Sequence, residues 1–323
     1  MRFPARRLRR LRKSEGMRRL MNETLITRED LVYPILVQEG LDGRLPVGPM
    51  EGIYRISVDL LEDELGEAHD LGIRAVMLSG IPEHKDEVGT SAYAKDGIAQ
   101  QAVAKARSCR SDMVIMADAC LCQYTSTGHC GIYKDGTVDN DLSIPLLGKV
   151  AASLARAGVD VVSPSSMMDG QVTAVRAALD REGHQNVAIM AQSAKHMSAL
   201  YSPFREAAHC TPQFEDRIEY QVPYTNPREA MAEVESDIEE GVDIIMIKPA
   251  MMYLDLVSEA RRRFTTPVAA YNVSGEYALV RAAHSKGHID GAKATMEILS
   301  CIKRAGADII ITYSAKEAAK MLP

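Results

Sequence analysis

Lys248 ends an apolar run, Ile244 to Ile247, and is followed at once by Pro249. Its stem is therefore expected to emerge from a buried strand. An ammonium withdrawn from water loses its proton more readily, and a second cation nearby pushes the same way. Lys195, just beyond the preceding apolar run, is the candidate for that cation. A lysine neutral near pH 7 is a nucleophile that forms a Schiff base with a ketone. The bland alternative is a pair of lysines that snorkel to a rim or meet carboxylates. Two lysines at adjacent strand ends favour the chemical reading.

A second cluster lies in DACLCQYTSTGHC, residues 118–130, where Cys120, Cys122 and Cys130 fall within eleven positions. Cys120 and Cys122 stand too close for a structural zinc knuckle, which favours two or more intervening residues. Three thiolates with an open fourth position are the arrangement of a catalytic zinc. His129 is a possible fourth ligand, although a loop or outer-shell histidine is the simpler expectation. The other three of the six cysteines, Cys109, Cys210 and Cys301, are scattered singly and read as small buried hydrophobes.

The stretch from Met197 to Gln221 is long for a strand–helix connection and carries Tyr201, Phe204, Arg205 and Arg217. A lid bearing guanidinium groups would bind carboxylates through paired donors and exclude water. A solvated helical excursion is the competing reading, but long loops in compact domains are usually functional.

The elements that must position these groups are legible along the chain. Apolar runs at 31–37, 75–80, 113–118, 159–165, 186–192, 242–249, 266–274 and 307–314 alternate with helical periodicity. They are nearly continuous rather than alternating, as strands buried on both faces should be. Helices are expected at 59–72, 144–158 and 227–241, the last entered by Asn226 with Pro227 at its first position. Gly72, Gly158, Gly241 and Gly306 stand where left-handed helix stops are expected. Eight such units predict an α/β fold, a TIM (β/α)8 barrel over residues 30–323, with residues 1–29 as an N-terminal arm outside it. A dinucleotide-binding sheet would want G-x-G-x-x-G after the first strand, and that motif is absent. Barrel enzymes work at the C-terminal strand ends. Those ends hold Asp118, Ser165, Lys195, Lys248, Tyr271 with Ser274, and Tyr313.

Composition bounds the class. Of 323 residues 46% are hydrophobic and 25% charged, an ordinary soluble balance. No membrane-length apolar stretch and no signal-type leader is seen, so a cytoplasmic protein without membrane partners is expected. The net charge of −6 hides a basic start, with nine of the first twenty residues Lys or Arg. The rest of the chain carries 29 basic against 43 acidic residues. An arm that packs on an acidic neighbouring subunit is preferred to a nucleic-acid segment, because no aromatics interleave with basic residues elsewhere.

Taken together, DACLCQYTSTGHCG, SPSSMMDG, SAKHMSALYSPFREA, DRIEYQ, IMIKPA and YNVSGEY resemble the porphobilinogen synthase (5-aminolevulinate dehydratase) family, over nearly the whole chain. The resemblance implies a homo-oligomer, an octamer, whose arms embrace neighbours. It implies condensation of two 5-aminolevulinate molecules to porphobilinogen, with Schiff bases at Lys195 and Lys248 and zinc on Cys120, Cys122 and Cys130. Asp118 and Ser165 resemble the polar lining of that active site. Tyr201, Phe204, Arg205, Arg217 and Gln221 resemble its lid, closing over the second substrate's carboxylate. Ser274 and Tyr313 resemble the pair holding the first carboxylate, with Tyr271 packed on that molecule. Glu233, with Asp237 one helical turn on, loosely matches an allosteric magnesium region. Departures stand at Thr127, Gln192, His196 and Ser202, beside the chemical groups. A class I Schiff-base aldolase is the alternative enzyme, and it needs only one such lysine and no thiolate trio. A non-catalytic zinc- or nucleic-acid-binding barrel is the third reading.

Overall fold

The computed structural model describes residues 3–323; Met1 and Arg2, at the head of the expected arm, lie outside the described residues. Among the described residues twelve strands are present: β1 (Leu31–Gln38), β2 (Arg44–Pro46), β3 (Tyr54–Ile56), β4 (Ala75–Ile81), β5 (Val114–Ala119), β6 (Ile132–Lys134), β7 (Thr137–Asp139), β8 (Val161–Pro164), β9 (Ala188–Lys195), β10 (Ile244–Lys248), β11 (Val268–Asn272) and β12 (Ile309–Thr312). Eight of them, β1, β4, β5, β8, β9, β10, β11 and β12, pair in parallel in that order. The sheet closes on itself where Leu31 and Val32 pair with Ile310 and Ile311. These eight strands are the eight apolar runs, and the fold is a TIM barrel.

Alternation along each strand divides the apolar residues into two layers. Val32, Met77, Met116, Val161, Met190, Met246, Ala269 and Ile311 fill the barrel interior. Val76, Leu78, Ile115, Val162, Ile189, Ile245, Ile247 and Ile310 face the helices. Both faces are dry, which is why the strands read as unbroken apolar runs. Each fully buried Leu, Ile, Val or Met contributes roughly 1.5–3 kcal/mol relative to exposure.

The helices are α1 (Glu15–Leu20), α2 (Leu61–Asp70), α3 (Ile98–Cys109), α4 (Asn140–Ala157), α5 (Gln171–Arg181), α6 (Ser202–Ala207), α7 (Pro227–Glu239), α8 (Leu254–Arg263), α9 (Ser274–Ser285), α10 (Gly291–Ala305) and α11 (Ala315–Met321). Gly72, Gly158, Gly241 and Gly306 all take positive φ between helix and strand, as expected. α4 starts earlier than its apolar periodicity suggests, because Asp139 caps it by accepting from the Leu142 amide at 2.9 Å.

Two small hairpins were not anticipated. β2 and β3 pair antiparallel and extend the sheet beside β1. β6 and β7 pair across Asp135 and Gly136, both at positive φ. That is the two-residue Asp-Gly turn that suits a tight hairpin. The described part of the arm forms a 3-10 turn, Leu8–Arg12, and α1, and neither contributes a buried residue.

Candidate active site

The strand ends converge on two lysines. Lys248 and Lys195 are register partners on β10 and β9. Their meeting depends on an irregularity. The pairing of the two strands shifts between Ile245 and Ile247, so that Ala191 and Ala194, three residues apart, both face the outer layer. Strict alternation from Ala191 would have turned Lys195 toward the helices. One extra residue in β9 turns it into the barrel. The bulge also carries β9 on to Lys195, beyond the apolar run.

Lys195 is 5% exposed, and its Nζ donates to the Ser165 carbonyl at the end of β8. Lys248 Nζ lies 4.2 Å above the Tyr271 ring and 5.7 Å from that of Tyr201. Burial, and then the Lys195 ammonium, bring the Lys248 amine down to about 7, against the pull of Asp118 and the nearby thiols. Near neutral pH about half of it is therefore a free nucleophile. Tyr201 donates to the Lys248 carbonyl at 3.1 Å, tying the lid root to this strand end.

Tyr271 donates to Tyr313 across 3.5 Å, and burial keeps both phenols neutral. Ser274 opens α9, donating to the Leu200 carbonyl and accepting from the Phe204 amide, each at 3.2 Å. Asp118 accepts from Gln123 at 3.1 Å, while its other oxygen is buried without a protein partner. An unsatisfied buried carboxylate oxygen next to the lysines marks a place for a ligand.

Cys120, Cys122 and Cys130 bring their sulfurs within 4.8 Å of one another, all buried. Cys120 and Cys122 are 3.4 Å apart, and Ser166 reaches Cys120 at 3.5 Å. Burial pushes the Cys120 thiol up to about 11. Three convergent soft donors in a dry pocket suit zinc, whose charge would reverse that shift. His129 is not a ligand here. Its Nδ1 meets Tyr220 Oη at 3.0 Å and its Nε2 the Phe214 carbonyl at 2.9 Å. Gly128 lets this loop touch the lid, since a Cβ there would stand 2.5 Å from the Thr211 carbonyl oxygen.

Cys210 departs from its expected role as an isolated small hydrophobe. It is fully buried, but its thiol interacts with Cys122. Cys122, and then Arg217 and Lys85, hold it below its ordinary value. Eighty residues separate it from the triad, so no local spacing could reveal it. Cys109 and Cys301 are only partly buried.

The stretch between β9 and α7 lies over the mouth, with α6 within it. Arg205 has Nε and Nη2 buried and unpartnered, and the Arg205 guanidinium lies 5.5 Å from the Tyr201 ring. Arg217 spends Nη2 on the carbonyls of Cys210 (2.7 Å) and Gly128 (2.9 Å), leaving Nε free. Gln221 has both side-chain polar atoms buried and unpartnered. Burial first and then Arg217 lower the Arg205 pKa. Two neighbouring cations with spare donors call for an anion.

Glu233 is not brought into this cluster. It sits on α7 and lines a separate cavity of about 250 Å³ with Asp169, Glu229 and Gln221. Burial, Asp169, Glu229 and Glu240 raise its carboxyl. Asp237 is buried one turn on, with Oδ2 lacking a partner, and is pushed up to about 7 chiefly by burial.

Among the described residues no helix is long and apolar enough to cross a membrane. A family model described as "Delta-aminolevulinic acid dehydratase" matches residues 5–321. A protein of that name from Bacillus subtilis (strain 168) is 49% identical over 314 residues, 97% of each chain. One from Staphylococcus aureus (strain Mu50) is 48% identical over 316 residues, 97% of this chain and 98% of that one. The crystal structure of delta-aminolevulinic acid dehydratase (porphobilinogen synthase) from Toxoplasma gondii ME49, in complex with the reaction product porphobilinogen, superposes with a TM-score of 0.96. Its identity is 40%, over 98% of this chain and 91% of that one. A whole-length match at this identity replaces the aldolase and non-catalytic alternatives, and it makes the chain an enzyme, a hydro-lyase of porphyrin biosynthesis. The chain belongs to the delta-aminolevulinic acid dehydratase family.

Proposed function

We propose that this chain condenses two 5-aminolevulinate molecules to porphobilinogen with loss of two waters, using Lys248 and Lys195 as its Schiff-base residues. The observation that carries this reading is the register pairing of the two lysines at adjoining strand ends, with Lys248 brought to about 7. The neutral Lys248 amine adds to the ketone of the first substrate and expels its oxygen as water, forming an imine. Tyr271 covers that molecule, and Ser274 with Tyr313 receives its carboxylate. Lys195, held by Ser165, forms the second imine once its ammonium has given up a proton, the second ketone oxygen leaving as water. The spare donors of Arg205, Arg217 and Gln221 take the second carboxylate. Tyr201 and Phe204 close the lid against water, and Asp118 is placed to accept a proton through its free oxygen.

Cys120, Cys122 and Cys130 would hold the metal, which we assign as zinc on the softness of three thiolates. When bound, zinc supplies Lewis acidity to the second substrate's carbonyl or amine. We assign a magnesium site to Glu233, because its crowding by Asp169, Glu229 and Glu240 is what a divalent cation relieves.

Residues 1–29 are read as an assembly arm of a cytoplasmic octamer. Among the described residues, Leu8, Leu11, Leu20 and Leu25 stand exposed on it. Deleting residues 1–20 should then lower the sedimenting mass without removing the barrel's circular dichroism.

Borohydride reduction with 5-aminolevulinate, followed by peptide mapping, tests the central reading, since hydride converts an imine to a stable amine. Label on Lys248, lost in Lys248→Ala, is expected. Label wholly elsewhere overturns the assignment.

A further inference from the structure

Glu276 is fully buried, and nothing in the chemistry above uses it. It is the third residue of α9. Its Oε2 accepts from the Val273 amide at 2.9 Å, the ordinary bond of a helix-capping carboxylate. The same oxygen also accepts from Asn272 Nδ2 at 2.9 Å, and Oε1 accepts from the Met251 amide at 2.6 Å. A cap needs neither of these. Met251 lies three residues past Lys248, and Asn272 adjoins Tyr271. Asn272 Oδ1 in turn accepts from Thr312 Oγ1 at 2.9 Å, beside Tyr313. Thr312 Oγ1 also accepts from the Ser314 amide at 3.1 Å.

One carboxylate thus joins the ends of β10 and β11 directly, and that of β12 through Asn272, at the points where Lys248, Tyr271 and Tyr313 stand. It does so from the helical turn that bears Ser274. All three of its partners are donors, so an ionised carboxylate matches them and an amide does not. Burial pushes its carboxyl up to about 7 against the pull of those bonds.

We propose that Glu276 is a positioning residue that fixes the Lys248 nitrogen relative to the Ser274–Tyr313 carboxylate pair, so that ketone and carboxylate of one substrate are met together. The inference rests on Lys248 being the imine-forming residue. It makes the enzyme's preference for a ketone bearing a carboxylate depend on a side chain that touches no substrate.

The test compares borohydride trapping at Lys248 of two probes, levulinate and 2-pentanone, which share a five-carbon ketone and differ in the carboxylate. In the full-length wild type, levulinate should be trapped much faster. If neither probe nor 5-aminolevulinate labels Lys248 in the wild type, the Schiff-base assignment itself fails. In Glu276→Gln, which preserves volume, the ratio of levulinate to 2-pentanone trapping should fall about tenfold or more, since sub-ångström misplacement has effects of this size. Trapping of 2-pentanone should stay within about twofold, because the amine remains in place and only its distance to the carboxylate pair changes. An unchanged ratio, whether both rates hold or both fall together, overturns the proposal. Should Glu276→Gln not fold, Thr312→Val releases Asn272 one step away and should lower the same ratio. An unchanged ratio there is equally decisive against it.

Discussion

Lys195 and Lys248 are direct register partners on adjoining parallel strands, and Lys195 turns into the barrel beside Lys248 only because β9 carries one extra residue ahead of it. Two ammonium groups so placed in a dry mouth destabilise each other, and Lys248 yields, at about 7.

Replacing Lys195 with Ala removes the second of the two causes that lower Lys248. Its pKa should rise, and because the neutral amine is the nucleophile, the acid limb of imine formation should move to higher pH. A shift of about one unit is expected for the loss of a near cation. The measurement is the pH profile of borohydride trapping at Lys248, which does not require turnover. A profile identical to that of the wild type would mean that the two lysines do not share one field.

Cys120→Ser, Cys122→Ser and Cys130→Ser should each lose zinc, because a hydroxyl is a far poorer soft-metal ligand than a thiolate. The loss should exceed the roughly 10- to 100-fold weakening typical of an outer-shell change, which Ser166→Ala provides as the comparison. Metal analysis after dialysis reads this out. Full zinc occupancy in a triple variant would remove the cluster from consideration as the metal site.

Arg205→Lys should be far from conservative, since a planar fork gives a carboxylate two parallel bonds and an ammonium gives one point charge. Trapping at Lys248 should continue near the native rate while product formation stalls. Apparent binding at the second site should weaken by about 2 kcal/mol, the range for charge-assisted bonds. Equal impairment of trapping and turnover would assign Arg205 to the first site or to the fold.

Gly275→Ala probes how the lid root docks on the barrel. A Cβ at Gly275 would lie 2.5 Å from the Leu200 carbonyl oxygen and 2.6 Å from its Cα, both backbone atoms that cannot swing aside. The segment 199–204 must retreat, at a cost of about 1–3 kcal/mol. Proteolysis between Ser202 and Asp216 should quicken, and the Ser274 bonds to Leu200 and Phe204 should weaken. Native protease resistance at unchanged stability would show that the lid is anchored elsewhere.

Much of this molecule was determined by its sequence alone. A strand buried on both faces has no polar side to alternate with, so each of the eight barrel strands appears as a plain apolar run ended by a polar residue. A glycine is required wherever a helix must reverse through positive φ, so Gly72, Gly158, Gly241 and Gly306 mark four helix–strand junctions. The Asp135–Gly136 dipeptide marks a tight turn, but its strands have only three residues each, too few for an alternation to show. The thiol triad is local, and spacing shows it. Tertiary structure decided whatever depends on distances across the fold. Cys210 joins the triad's surroundings from eighty residues away. Glu276 bonds the ends of β10 and β11, and through Asn272 reaches that of β12, which no periodicity connects. The β9 bulge is an offset between partners, invisible in either strand by itself, and it alone sets which way Lys195 points. Side-chain chemistry is written residue by residue, but which groups share one dry cavity is settled only when the sheet closes.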